Sequence, residues 1–286
     1  MSVHLVGGGR DLEAAAGVYG GFVAQAAARA TSSGRVVPRI AVLVVDEIEE
    51  LGGAVDWFAE ALQRCGQVEV TPVTAAPRGA LSRADGTVPT DAWWSGLDGL
   101  LVGGGLTPAY HRVLLPYADA VRAAVAGGLP YAGFSAGAMI APQRALLGGW
   151  RLGSTAVTHE DNAEDLDQIT VVDGLGLASS AVDVHTSQWG TLSRLVAVVA
   201  AGEVTTGIAV DENTVVILDP GTDGPTRDGG AGAVEVLGTG QAWFLTADDG
   251  AVRVHRRQPG RTPKGLDVPR IGGTGSHPSG FRSDPD

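Results

Sequence analysis

The sequence predicts an α/β fold: a mostly parallel sheet with helices on both faces, followed by C-terminal β-hairpins. Three observations carry that prediction. Through residue 140, short runs rich in Val, Ile and Leu alternate with longer stretches of helical spacing, the pattern of parallel strands joined by crossover helices. Two glycine triplets, Gly7-Gly8-Gly9 and Gly103-Gly104-Gly105, each close one of those apolar runs. From Thr214 onward the apolar runs come at hairpin spacing instead.

The first strand is Val3-His4-Leu5-Val6, and the alanine-rich segment from Asp11 to Ala30 is a helix with Asp11 as its N-cap. The Gly7 triplet invites a nucleotide-loop reading, but neither G-x-G-x-x-G nor a Walker lysine follows it. Arg39 to Val45 is a buried strand, Val55 to Arg64 an amphipathic helix, Val68 to Val73 a strand, and Arg78 to Thr90 a surface loop. Leu97 to Val102 is the next strand. After it Thr107 stands as cap and Pro108 at the first helical position of a stretch reaching Ala126, which Pro116 should kink or split. From Gln143 to Leu177 the pattern breaks into short segments and an acidic run, Glu160, Asp161, Glu164, Asp165 and Asp167, which reads as a solvated loop. Ser180 to Val184 is a short strand ending at His185, Thr191 to Ala201 a helix, and Gly207 to Val210 a strand ending at Asp211-Glu212-Asn213. Val215–Leu218, Ala233–Leu237, Ala242–Leu245 and Val252–His255 are the hairpin strands.

At 286 residues the chain can bury a large core, and residues 1–256 read as one α/β domain with a loosely ordered Pro/Gly-rich tail over 257–286. A net charge of −12 argues against binding a phosphate backbone. The single cysteine, Cys65, excludes a disulfide within the chain and a cysteine-rich metal site. No secretory signal and no membrane-length apolar run stands out, so a cytoplasmic location is expected.

The chemistry concentrates at Gly133-Phe134-Ser135-Ala136-Gly137, a G-x-S-x-G between a strand and a helix. Such an elbow holds its serine in a strained conformation with small neighbours, although a glycine-rich turn can also contain a serine by chance. Gly103-Gly104-Gly105 ends what should be the neighbouring strand. Its N–H groups, Gly104's above all, would then face that of Ala136 as the two sides of an oxyanion hole. A serine needs a base, and the base an orienting carboxylate. His185, at a strand end, and His159, beside the acidic run, are the candidate bases.

In that company the chain resembles the cyanophycinase and peptidase E family of serine peptidases, whose fold is similar to class I glutamine amidotransferases and flavodoxin-like proteins. The likeness rests on Gly103-Gly104-Gly105, on the G-x-S-A-G-A of Gly133 to Ala138, and on Gly174-Leu175-Gly176-Leu177 followed by Asp183-Val184-His185. Arg194-Leu195 and Gly207-Ile208-Ala209-Val210-Asp211-Glu212-Asn213-Thr214 complete it. The resemblance implies Ser135 as nucleophile, His185 as base and Glu212 as orienting acid, with Asp211 and Asp183 as fallbacks. Ser-His-acid order sets the chain apart from ordinary α/β-hydrolases. A glutaminase would carry cysteine at Ser135 and glutamate at Ser187. Thr107, Asp183, Trp189 and Arg194 are the expected substrate-binding positions. The family's D-Q-H glutamine and two substrate arginines are replaced by Val184, Trp189 and Thr191, and the polar residue after the glycine loop by Leu106, which puts cleavage of cyanophycin in doubt. Trp189 could line a pocket or pack under the following helix.

The expectation is a serine hydrolase cleaving a small peptide or isopeptide amide, cyanophycinase-like or aspartyl dipeptidase-like, with no metal and no organic cofactor. The alternatives are an amidase or esterase acting on a non-peptide, or a non-catalytic binding protein. The expected partner is the small substrate, without nucleic acid or membrane; a homodimer is compatible with the sequence.

Overall fold

A computed structural model describes residues 2–45, 51–219 and 234–260. Its main sheet has eight strands in the order Val234–Gly238, Thr214–Leu218, Val3–Val6, Tyr131–Phe134, Gly99–Val102, Arg39–Val45, Glu69–Ala75 and Ser82–Arg83. The five from Val3–Val6 to Glu69–Ala75 are parallel; Thr214–Leu218 and Ser82–Arg83 run antiparallel to them, and Val234–Gly238, antiparallel to Thr214–Leu218, returns to their direction. Arg39–Val45 is the point where the winding reverses: the chain steps outward to Glu69–Ala75, then returns to Gly99–Val102 on the other side. This is the flavodoxin-like arrangement, in which ligands sit at the carboxyl ends of the central strands.

Alternation along the strands explains why both faces are covered. Ile40, Val42 and Val44 point into a core shared with Val18, Phe22 and Phe58 of the helices Ala15–Ser32 and Leu51–Gln63. Ala41, Leu43 and Val45 point into the other core, with Tyr110 and Val113 of Thr107–Leu114 and Val121 of Ala118–Ala126. Pro116 splits those last two helices with a 3-10 turn, Leu115–Tyr117, as its missing N–H requires. Asp11 caps a 3-10 turn, Leu12–Ala14, through a bond from the Glu13 N–H to its carboxylate, and the α-helix expected from Asp11 starts only at Ala15.

Several expectations need correction. The strand predicted from Leu97 begins at Gly99, because the buried Asp98 carboxylate is taken up by Arg35 and by the Arg39 N–H. The predicted loop after Arg78 contains the edge strand Ser82–Arg83 and leads to a short helix, Asp91–Ser95, capped by Thr90. Thr107 is the first helical residue rather than the cap: its N–H is satisfied by Glu164 Oε2 at 2.9 Å, from the acidic run, and its buried hydroxyl faces Met139 Sδ at 3.6 Å. The late hairpins divide. Thr214–Leu218 and Val234–Gly238 extend the main sheet, while Ala242–Asp248 and Ala251–Arg257 join Thr206–Val210 and Ala181–Asp183 in a second, four-stranded sheet. Residues 261–286, including His277 and nearly all of the expected tail, lie outside the described residues, as does Ala233. No helix among the described residues is long and apolar enough to cross a membrane.

Candidate active site

Ser135 follows the last residue of Tyr131–Phe134 and has φ 51° and ψ −111°, a combination that side chains rarely adopt and that costs about 1–3 kcal/mol. Surrounding bonds hold it there. Its own N–H donates to Val6 O at 2.9 Å, and the Ala138 and Met139 N–H groups close on its carbonyl at 2.8 and 3.0 Å. The helix it starts, Ala136–Met139, is a single turn, and the Gly137 N–H is bonded to Gly103 O at 3.0 Å. A Cβ on Gly104 would stand 2.7 Å from the Ser135 Cβ, so only glycine lets the loop come this close. The backbone N–H groups of Gly104 and Ala136 make no hydrogen bond among the described residues.

His185 approaches from the second sheet. It leaves Ala181–Asp183, has φ 52° and ψ 36°, and bonds its N–H to Gly7 O at 2.9 Å. The Ser135 hydroxyl lies 2.8 Å from His185 Nε2, and His185 Nδ1 lies 2.7 Å from Glu212 Oε1. We assign the tautomer with its proton on Nδ1, donating to Glu212, and Nε2 accepting from the serine. Burial lowers the His185 pKa below its ordinary value, and the bond and charge of Glu212 partly offset this, with smaller influences from Asp183 and Arg194. The imidazole is therefore neutral at pH 7, the form a base needs.

The His–Glu spacing is set by a turn of π-helix, Thr186–Gly190, fastened residue by residue to the strand end beside it. Thr186 Oγ1 donates to Val210 O at 3.0 Å, the Ser187 N–H to Asp211 Oδ1 at 2.8 Å, and the Glu212 N–H to Gln188 Oε1 at 3.0 Å. Asn213, at φ 52°, donates its N–H to Gly8 O at 2.7 Å. The Gly7 triplet is thus the seat of the histidine and of the strand end that carries Glu212. Gly8 passes so close to the ring that a Cβ there would lie 2.0 Å from His185 Cε1.

Ser135, His185, Glu212, Gly104 and Ala136 come together as expected, and the other expected positions divide. Trp189 lines the cleft rather than packing beneath the helix: its ring lies 3.8 Å from that of His185 with 8° between planes, and it is 45% exposed. Asp183 and Arg194 do not face substrate. They form a buried ion pair, with bonds of 2.8 and 2.6 Å, while Arg194 also holds Asn162 O at 2.5 Å. Thr107 is buried away from the cleft, and Thr191 is buried with its hydroxyl on Val184 O. Neither fallback acid reaches the histidine, since Asp183 serves Arg194 and Asp211 accepts N–H groups from Ser187 and Gln241. The His159 side chain is 74% exposed and faces Asp161, and the serine hydroxyl is already taken by His185.

Gly104, Ser135, His185, Trp189 and Glu212 line a cleft of about 900 Å³. One wall is residues 160–167, the acidic run; Glu160, Asp161, Asp165 and Asp167 are exposed, as a solvated loop requires, while the segment is held at the cleft by the bond from Asn162 Nδ2 to Trp189 O and by Arg194. Glu160, Asp161, Glu164, Asp165 and Asp167 lie on this wall; Glu212 lines the same cleft, with Arg10 as the cation of the described lining. Gln188, the Gly7 triplet and this wall are the parts that sequence reasoning missed. The strand-ending Gly7-Gly8-Gly9 was the available signal for one of them.

Fold and geometry together define a flavodoxin-like α/β chain with a Ser–His–Glu hydrogen-bond relay at the carboxyl ends of its strands. Among solved structures it is similar to a peptidase from an acI-B1 Actinobacterium, with 16% identity, a TM-score of 0.59, and coverage of 91% of this chain and 95% of that one. A protein named for peptidase E, from Listeria monocytogenes EGD-e, aligns at 13% identity and a TM-score of 0.48 over 84% of this chain and 98% of that one. At these identities the first likeness establishes the fold. No family model matches the chain, and no curated protein matches it.

Proposed function

We propose that the protein is a serine hydrolase that cleaves an amide bond in a small peptide or isopeptide. The observation that carries this reading is the relay from Ser135 Oγ to His185 Nε2 and from Nδ1 to Glu212, at 2.8 and 2.7 Å, on a serine held at φ 51°. Ser135 Oγ attacks the carbonyl carbon while His185 Nε2 takes its proton, and Glu212 stabilises the imidazolium that results. The oxyanion of the tetrahedral intermediate accepts from the Gly104 and Ala136 N–H groups, one such donor being worth roughly 100-fold or more in rate. His185 then protonates the leaving amine, and water releases the acyl group by the same steps. The mechanism calls on no cofactor. The fold shared with a solved peptidase accords with this chemistry.

The acidic wall bears on the substrate. Carboxylates line the same cleft as the relay, so a substrate with a cationic group is favoured over one presenting an aspartyl side chain to that wall. This weighs against an aspartyl dipeptidase. A second reading, an amidase or esterase for a non-peptide, is favoured by Trp189 and Thr191 standing where the resembled family has substrate arginines.

A fluorophosphonate probe with intact-mass readout tests the centre: one label on the wild type, none on Ser135→Ala or His185→Gln. A panel of Lys-, Arg- and Asp-containing dipeptides and isopeptides, with simple amides and esters, then tests the substrate. Peptide turnover with basic residues preferred supports the leading reading, turnover of simple esters or amides alone the second. Absence of labelling with this and a smaller probe would leave a binding protein.

A further inference from the structure

We propose that Trp189 is a positioning residue for His185, fixing the tilt of the imidazole and stabilising its protonated form through the shared ring face. The inference rests on the reading of His185 as the base of the Ser135 centre. Bonds at Nδ1 and Nε2 lie near the plane of the imidazole and fix two points on its rim. They leave the ring free to rock about the line joining those points. A Cβ on Gly8 would stand nearest Cε1, so that loop bears on one corner of the ring and does not span its face. The indole, parallel within 8° at 3.8 Å, opposes the rocking.

The indole is held by its backbone. The Trp189 N–H donates to His185 O at 2.7 Å, its carbonyl accepts Asn162 Nδ2 at 2.7 Å, and Gly190 at φ 71° turns the chain away. A tryptophan retained for core packing would be buried, whereas this one is 45% exposed. Stacking on neutral imidazole is dispersion, and on imidazolium it gains the attraction of a cation for the indole π face. The stack therefore favours the species formed during proton transfer. The other groups acting on the ring are Ser135, Glu212, Asp183 and Arg194, none of which the indole displaces.

The test compares wild type, Trp189→Phe and Trp189→Leu. Leucine keeps an apolar cover over the imidazole but has no π face, so desolvation is matched while the cation attraction is lost. The readouts are the NMR titration of the His185 Cε1–H, assigned with His185→Gln, and the rate of fluorophosphonate labelling. The expected pKa order is Trp, then Phe, then Leu, with the Leu variant lower by roughly 0.5–1 unit. Its labelling should slow about 10-fold, and phenylalanine should restore most of the loss. A Leu variant with unchanged pKa and rate, or with a raised pKa, overturns the proposal by making Trp189 a cover alone. Should the Leu variant not fold, the Phe variant decides: a smaller downward shift supports the proposal and no shift overturns it. The titration needs no turnover. The pKa order without labelling of any chain would therefore sink the hydrolase reading and leave the ring contact standing.

Discussion

Replacing Gly8 by alanine should disable the centre without replacing any of the groups proposed to react. A Cβ at this position would stand 2.0 Å from His185 Cε1 and 2.6 Å from Nδ1, so the ring must retreat by about 1.4 Å to regain ordinary contact at 3.4 Å. The imidazole is bonded on both sides, at 2.8 Å to Ser135 and 2.7 Å to Glu212, and a shift of that size breaks at least one of those bonds. A misplacement near 1 Å costs on the order of 100-fold in rate. Alanine at φ 98° adds strain of about 1 kcal/mol, a loss of a few degrees in Tm. The expected outcome is a folded variant, normal by circular dichroism, whose labelling rate falls about 100-fold. An alanine variant that labels at the wild-type rate would refute the idea that Gly8 seats the histidine.

Three further outcomes follow from the same structure. Because burial lowers the His185 pKa, the acid limb of labelling should be centred below 6.5; Glu212→Gln, which removes the largest opposing influence, should move that limb to lower pH. An acid limb centred at or above 6.5 would contradict this. The buried His4 titrates at about 4 when folded and 6.5 when unfolded. Its contribution is full above 6.5 and is lost as pH falls toward 4, about 3 kcal/mol in all, so His4→Leu should flatten the urea midpoint between pH 7 and 5 relative to wild type. Arg194→Met leaves the Asp183 carboxylate buried without its partner and should cost about 3–5 kcal/mol by urea denaturation. The double variant with Asp183→Leu should cost less than Arg194→Met alone, and an equal or larger loss would count against a mutually compensating pair.

The alternation of apolar runs and helices made the parallel sheet legible, because residues such as Ile40 to Val45 must be apolar on both faces wherever helices cover both. Ser135 was legible because a strained elbow demands small neighbours on either side, whereas Glu212 was singled out only by the resemblance, since its place at a strand end does not separate it from Asp211. What stayed hidden depends on contacts distant in sequence. Nothing local to Asp183 or Arg194 tells that their charges face each other rather than a substrate. The acidic run is solvated as it reads, but its place as a wall of the cleft stayed hidden, because that depends on Asn162 finding Trp189 and on Glu164 finding the Thr107 N–H. The division of the late hairpins between two sheets was equally invisible, since each strand alternates in the same way whichever partner it meets.

The division of the site between two sheets also sets when the chain can become reactive. The serine and its Gly104 loop belong to the sheet started by the first half of the chain. The histidine and Glu212 arrive on a sheet whose Thr206–Val210 strand lies between Ala181–Asp183 and Ala242–Asp248, with Asp211 pinned by the Gln241 N–H. During synthesis from the N-terminus, the serine emerges long before the strand that must back its partner acid. The unfinished polypeptide thus carries Ser135 without its hydrogen-bond partner, and the relay on which the proposed hydrolase chemistry rests assembles only once residue 241 and the strand after it have found their places.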